Sequence, residues 1–216
     1  MDATKPLSGR QAQAARNDRL ILEAARAVFI KDPGAPISAV ADRAGVGISA
    51  LYRRYASKED LLRHLCREGL DRYVGAVETA LADDGDAWEA FAGFMRRAVD
   101  ADTNSLTVRL AGTFTPTDDL YREAARAQEL NHRLFERVRA SGAIRADAVV
   151  DDLSFVLEQV ASIRVEDPRR TLELRHRYLA LALDALRAPA ATAPLPGPPP
   201  TWQEVTQRWN AGGATP

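Results

Sequence analysis

Cysteine is almost absent from this chain: Cys66 is the only one among 216 residues. A lone thiol excludes an intrachain disulfide and argues against a cysteine-based zinc site, and it fits a reducing compartment, where it serves as a small apolar filler. Long apolar runs are missing as well. No stretch approaches the roughly 18 uninterrupted apolar residues of a membrane span, and the first ten residues carry no apolar segment behind their charges, so a cytoplasmic protein with no membrane contact is expected. Net charge is also scarce, at −1. Any nucleic-acid role must therefore rest on a local patch.

The usual signatures of catalysis are missing too. His64, His132 and His176 fall on separate expected helices without a second ligand type at metal-binding spacing. There is no glycine-rich phosphate loop and no nucleophile elbow. The acidic pairs Asp83-Asp84, Asp118-Asp119 and Asp151-Asp152 stand at expected helix starts, where they complement the helix dipole. No catalytic residue, metal ligand or cofactor is expected.

What is present is helical periodicity. Apolar residues recur three and four apart almost everywhere, with no sustained strand-like alternation, which predicts an all-α fold of about nine helices. The first helix is expected over about 16–30, with Leu20, Ala24, Ala27 and Val28 on one face, and Lys31-Asp32-Pro33-Gly34 ends it. Short helices follow over about 38–44 and 48–55. A fourth opens at Ser57-Lys58-Glu59-Asp60, a variant capping box, and runs to about 82. Asp83-Asp84-Gly85 is the expected domain boundary, because residues 1–80 hold 13 basic against 10 acidic residues while the remainder is mildly acidic. Beyond it come a capped helix with Trp88, Phe91, Ala92, Met95 and Val99 buried, a short one over 106–112, and longer ones over about 118–140, 147–165 and 168–186. The expected organisation is a flexible arm (1–15), a first domain (16–82), a second (86–188) and a tail (189–216). That tail is Ala- and Pro-rich to Pro200; then Thr201 and Glu204 form a capping box ahead of Trp202, Val205 and Trp209, which either dock as a two-turn helix or stay disordered.

Function concentrates in residues 37–58. A helix facing inward through Ile37, Val40, Ala41 and Ala44 meets Gly45-Val46-Gly47, and a second begins with Ile48 and Leu51 turned inward. This is helix, tight turn, helix, with Gly45 suited to the left-handed ending and small alanines allowing close crossing. Ser49, Tyr52, Arg53 and part of Ala50 then face outward: donors for phosphates and guanine edges, a hydroxyl, and a methyl for thymine. Residues 43–58 contain four basic residues and no acidic one. Lys58, in the first turn of the fourth helix, is placed to join that helix end in holding a phosphate.

The stretches Val40-Ala41-Asp42-Arg43-Ala44-Gly45-Val46, Leu51-Tyr52-Arg53-Arg54-Tyr55 and Ser57-Lys58-Glu59-Asp60-Leu61-Leu62, with Ile21-Leu22-Glu23-Ala24-Ala25 and Val28-Phe29 before them, resemble the TetR family of bacterial repressors. The resemblance covers about 16–65. It implies that Tyr52 and Lys58 contact phosphate, that Tyr55 packs inside, and that Ile48, Ser49, Arg53 and Arg54 face bases or neighbouring phosphates. Two positions depart from the family. Pro36 stands where a capping Thr or Ser is common, leaving Ser38 as a substitute, and Gly47 stands where Ser is common.

The resemblance further implies a homodimer on a pseudo-palindromic double-stranded operator, released when a small effector binds among the middle helices and the linking fourth helix carries the change. Candidate pocket residues are Trp88, Phe91, Met95, Leu110, Phe114, Asn131, Phe135, Phe155 and Gln159. Asn131, polar within an apolar stripe, either orients a ligand or bonds a backbone carbonyl. Candidate dimer residues are Leu153, Val156, Leu157, Val160, Leu172, Leu179, Leu183 and Leu186. Two other readings stand beside this one: a dimeric DNA-binding protein without an effector, whose middle helices pack solid, and an all-helical module for protein partners.

Overall fold

Short amphipathic stretches punctuated by Gly, Pro and Asx caps fold in the computed structural model into ten α-helices among the described residues, 9–190 and 193–210. They are α1 (Gly9–Lys31), α2 (Ile37–Ala44), α3 (Ile48–Arg54), α4 (Lys58–Leu81), α5 (Ala87–Asp100), α6 (Thr103–Leu110), α7 (Asp118–Ala140), α8 (Asp152–Ser162), α9 (Pro168–Leu186) and α10 (Trp202–Asn210). The only strand-like pairing among these residues is an isolated antiparallel bridge between Ile144 and Arg187. The all-α expectation holds.

The chain divides into two compact units, up to Leu65 and from Cys66 onward. The boundary expected at Asp83-Asp84-Gly85 is therefore displaced into α4. The reason is packing: Val74, Val77 and Ala80 of the rear of α4 belong to the core built with α5, α7, α8 and α9. The turn at Gly85 is instead a tied corner, since Arg137 donates to the Ala80 and Gly85 carbonyls at 3.1 and 2.9 Å.

In the first unit α1 begins at Gly9, so residues 9–15 of the expected arm are helical, and residues 1–8 lie outside the described residues. Its buried face is Ile21, Ala24, Ala25 and Phe29, with Leu20 exposed, one residue round from the expected stripe. The variant capping box on α4 forms: the Asp60 N–H donates to Ser57 Oγ at 3.0 Å, while Asp60 Oδ2 accepts from the Ala56 N–H at 3.0 Å.

In the second unit α5 starts as expected, with Asp86 accepting from the Glu89 N–H at 2.9 Å. The helix α8 is shorter than expected at both ends. Asp152 accepts from the Val149 N–H at 2.8 Å, turning the chain before the helix. At the other end Arg175 of α9, 5% exposed, donates to the carbonyls of Ala161 and Ile163 at 2.8 and 3.1 Å. The same guanidinium reaches Asp102 at 2.5 Å and Ser105 at 3.0 Å, and the Ser105 hydroxyl donates to Asp102. One buried cation thus ties the start of α6 and the end of α8 to the middle of α9.

The tail docks on the second unit. Arg145 donates to the Ala193 carbonyl at 2.8 Å, and Asp147 accepts from the Leu195 N–H at 2.7 Å. The capping box at Thr201 and Glu204 closes α10, with the Thr201 N–H donating to Glu204 at 2.8 Å and the Glu204 N–H to Thr201 at 3.3 Å. Val205 is buried and Trp202 half-covered, at 38% exposure; the expected packing of Trp209 lies outside the described side chains.

Candidate functional site

The first candidate site is the α2–α3 hairpin. Gly45 takes φ 67, ψ 30, and two backbone bonds close the helix end: Val46 N–H to Ala41 and Gly45 N–H to Asp42, at 3.1 and 3.3 Å. This is a Schellman ending, for which the left-handed residue is the requirement. Gly47 then starts α3 with no side-chain cap. Pro36 likewise leaves α2 without one, and Ser38, inside the helix and exposed, does not supply the missing hydroxyl bond.

Only seven residues long, α3 is pinned by Leu51, fully buried, and by Tyr55 just past its end, 1% exposed. Ser49, Tyr52 and Arg53 point outward, as expected. Ile48 does not turn inward: it is 40% exposed and shares the outer face. Tyr52 is 49% exposed, and neither it nor Arg53 makes a hydrogen bond or ion pair among the described residues. Arg43 at the end of α2 is exposed and unpaired in the same sense.

Two expected contact residues are engaged inside the unit. Arg54 Nε lies 2.7 and 2.8 Å from the two Asp18 carboxylate oxygens of α1, and its guanidinium covers the Tyr55 ring at 5.4 Å. Lys58 Nζ donates to the Pro33 carbonyl at 2.8 Å and stands 5.2 Å from the Phe29 ring centre. Both cations are held by α1 and the turn after it. Sequence reasoning missed Asp18, which is 36 residues from its partner and carries no local signal.

The second candidate site is a cavity of about 370 Å³ within the second unit. It opens where side chains are small: Gly69 of α4 and Ala124, Ala125 and Ala127 of α7 leave room that Leu70, Leu106, Phe114 and Tyr121 line. Of the expected pocket residues, Phe114 and Asn131 line it. Trp88, Phe91, Met95 and Phe135 are instead packed in the solid core, Trp88 against Phe91 at 5.6 Å, and Leu110 is fully buried outside the cavity wall. On α8 the cavity face is Ser154 and Glu158, so Phe155 and Gln159 fall on the wrong side.

Asn131 bonds a side chain and not a backbone carbonyl: its Nδ2 donates to the Tyr73 hydroxyl at 3.0 Å, while that hydroxyl lies 3.2 Å from Asn131 Oδ1 as donor. Burial pushes the Tyr73 hydroxyl up to about 12, although the Asn131 bond opposes this. It is a neutral donor at any physiological pH. Among the described residues the cavity wall has no Lys, Arg or His, and Glu158 is its single charged side chain. Sequence reasoning missed Tyr73 and the tail residues Trp202, Val205 and Thr206, which also line it.

The expected dimer residues need correction. Leu153, Leu157, Val160, Leu179, Leu183 and Leu186 are in the chain's own core, with Val156 packed on it, so they are not a free face. Among them only Leu172 is exposed, at 40%. Besides Leu172, the large apolar groups left outside on α9 are Tyr178 and Leu181, 51% and 56% exposed, and the half-buried Leu174 lies one turn before Tyr178. These lie four and three apart on one side of the helix.

Among the described residues no helix is long and apolar enough to cross a membrane. The sequence profile of the bacterial regulatory proteins of the tetR family matches residues 21–65, the stretch that holds the hairpin. The HTH-type transcriptional repressor LfrR of Mycolicibacterium smegmatis is 37% identical over 86 residues, 40% of this chain and 43% of LfrR, so the aligned stretch spans less than half of that relative. Solved structures cover more. A TetR transcriptional regulator from Streptomyces coelicolor is 28% identical over 82% of this chain and 99% of its own, with a TM-score of 0.55. The LfrR structure from Mycobacterium smegmatis, in complex with proflavine, shares the fold at 22% identity and a TM-score of 0.61, covering 84% of this chain and 99% of that one. Those relatives carry the names of transcriptional regulators, and this chain is similar to the TetR family of bacterial regulatory proteins, with the family match lying on residues 21–65.

Proposed function

We propose that this protein is a homodimeric, DNA-binding transcriptional repressor that leaves its operator when a small molecule fills the α4–α7 cavity. The observation that carries the DNA half is the outer face of α3. Tyr52 and Arg53 are exposed and make no hydrogen bond or ion pair among the described residues, within a segment, 43–58, that contains no acidic residue. Arg53 is the base-reading candidate, with Ser49 and Ile48 beside it; Tyr52 and Arg43 are phosphate contacts. Arg54 and Lys58 serve mainly to set α3 against α1. The cavity supports the effector half, since middle helices packed solid would leave no such space. LfrR, a repressor whose structure holds proflavine, supports it as well.

For the dimer, the stripe of half-buried Leu174 with exposed Tyr178 and Leu181 replaces the buried leucines as the interface. Leu181→Glu should then convert the dimer to a monomer in sedimentation. A protein acting through paired sites on DNA reads a pseudo-palindrome, half-sites about one helical turn apart.

The test is selection of bound fragments from the native genome, followed by affinity measurements with Arg53→Ala and Tyr52→Phe combined. Loss of affinity for the selected site is expected. Unaltered affinity would sink the DNA reading and favour a module for protein partners. Screening metabolites for release of that fragment then tests the effector, and release by none would leave a DNA-binding protein without one.

A further inference from the structure

We propose that the C-terminal tail is part of the ligand site, and that Trp202, Val205 and Thr206 of α10 contact a bound ring compound that carries no negative charge. The inference rests on the reading of the cavity as a small-molecule site. Three observations lead to it.

The first is placement. Residues of α10 line the cavity together with groups drawn from α4, α6, α7 and α8. Val205 is buried there, and the Trp202 indole lines the wall while keeping part of its surface in solvent. An indole in that setting offers a flat apolar face for stacking.

The second is attachment. The tail is held before it reaches the cavity: Arg145, 8% exposed, grips the Ala193 carbonyl, and Asp147 takes the Leu195 N–H. Five prolines between 194 and 200 then stiffen the short connection to α10. A stiff, anchored connector keeps α10 at high effective concentration over the cavity, so a nine-residue helix that would not persist alone stays in place.

The third is charge. Among the described residues the wall holds no cationic side chain and one carboxylate, Glu158, so an anionic ligand would find no partner for its charge among them. The neutral polar groups are the Tyr73 hydroxyl with Asn131, and the Gln128, Asn104 and Thr206 side chains. They suit a mostly apolar molecule with one or two hydrogen-bonding groups.

Cys66 makes the test direct, because the only cysteine of the chain also lines the cavity. The full-length protein is titrated with N-phenyl-1-naphthylamine, a neutral two-ring fluorophore, and with 1-anilinonaphthalene-8-sulfonate, the same skeleton bearing a sulfonate. Alkylation of Cys66 is followed in parallel to locate the probe. The neutral probe should bind and slow alkylation, and the sulfonate should bind about tenfold more weakly or not at all. Trp202→Ala and Val205→Asp, each verified as folded by its thermal transition, should weaken the neutral probe by roughly tenfold. Unchanged affinity in both variants overturns the role of the tail while the cavity reading stands. Preference for the sulfonate overturns the ligand class. If the neutral probe neither binds nor protects Cys66, the cavity reading falls together with this one, whereas binding to the genomic fragment, measured separately, still decides the DNA reading.

Discussion

Arg54 and Asp18 form a two-oxygen ion pair, 2.7 and 2.8 Å from Nε, so of two adjacent arginines at the end of α3 one is tied to α1 and the other is exposed with no ion pair among the described residues. Arg53→Ala should therefore cost roughly 1–3 kcal/mol in binding the selected DNA and relax its sequence preference. Asp18→Asn should instead lower stability by less than about 1 kcal/mol, because the pair is partly exposed to solvent. Chemical unfolding and titrations across a salt series separate the two effects; equal losses of DNA affinity from Arg53→Ala and Arg54→Ala would contradict the division of labour.

Gly45 and Gly47 flank the turn but answer different needs. A side chain at Gly45 meets no atom within 4 Å yet sits at φ 67, so Gly45→Ala should cost about 1 kcal/mol through the backbone alone. Gly47 has open space and an ordinary extended φ, −65. Gly47→Ser should leave stability unchanged or raise it by a few tenths, roughly, as a better N-cap. It should also tighten DNA binding by adding a hydroxyl at the start of α3, as measured by denaturant midpoints and fragment affinity.

Arg175 is the buried hub of the second unit, with Asp102, Ser105 and two helix-end carbonyls as its partners. Arg175→Ala leaves those acceptors unmet and should destabilise the unit by roughly 2–4 kcal/mol. Arg175→Lys should recover little, since one ammonium cannot span the fork of contacts. A denaturant midpoint within error of the parent for Arg175→Ala would refute this.

Arg145 first, then the Leu195 N–H, hold the Asp147 carboxyl down at about 2, below its ordinary value. A depressed carboxyl favours the bound tail above the ordinary value near pH ~3.9 and loses that contribution as pH falls toward the folded value. Tail release is therefore expected as acid is added from about pH 4 to about 2. The Glu204 carboxyl, lowered by Thr201, adds to the same trend. Pepsin cleavage in the tail should rise across that range, and Asp147→Asn should already be cut readily at its upper end; identical cleavage of the two proteins there would refute the clamp.

Local patterns were legible wherever the deciding partners sit within a few residues. The Schellman ending at Gly45, the capping residues Ser57, Asp86 and Thr201, and the inward turn of Leu51 all follow from neighbours in sequence. Periodicity turned Ile48 inward where the family resemblance had it facing out, because an apolar residue on a seven-residue helix gives no hint that the unit already has enough core without it. The cavity was misplaced for a related reason. Aromatic stripes such as Trp88, Phe91 and Met95 fill space, whereas the void lies beside Gly69, Ala124 and Ala125, and absence of volume leaves no motif. On α8 and α9 the leucines expected at a dimer face are consumed by the chain's own core, since periodicity marks a buried stripe without saying what buries it.

By itself the sequence determined the helical class, the position of the α2–α3 hairpin and the resemblance to the TetR family over that hairpin, because helix periodicity, caps and a glycine-centred turn are short-range chemistry. Tertiary structure alone decided which of the basic residues stay free, where the cavity opens and that the tail walls it. Those depend on groups tens of residues apart, Asp18 with Arg54, Tyr73 with Asn131 and Asp147 with Leu195, whose meeting only the packed chain specifies.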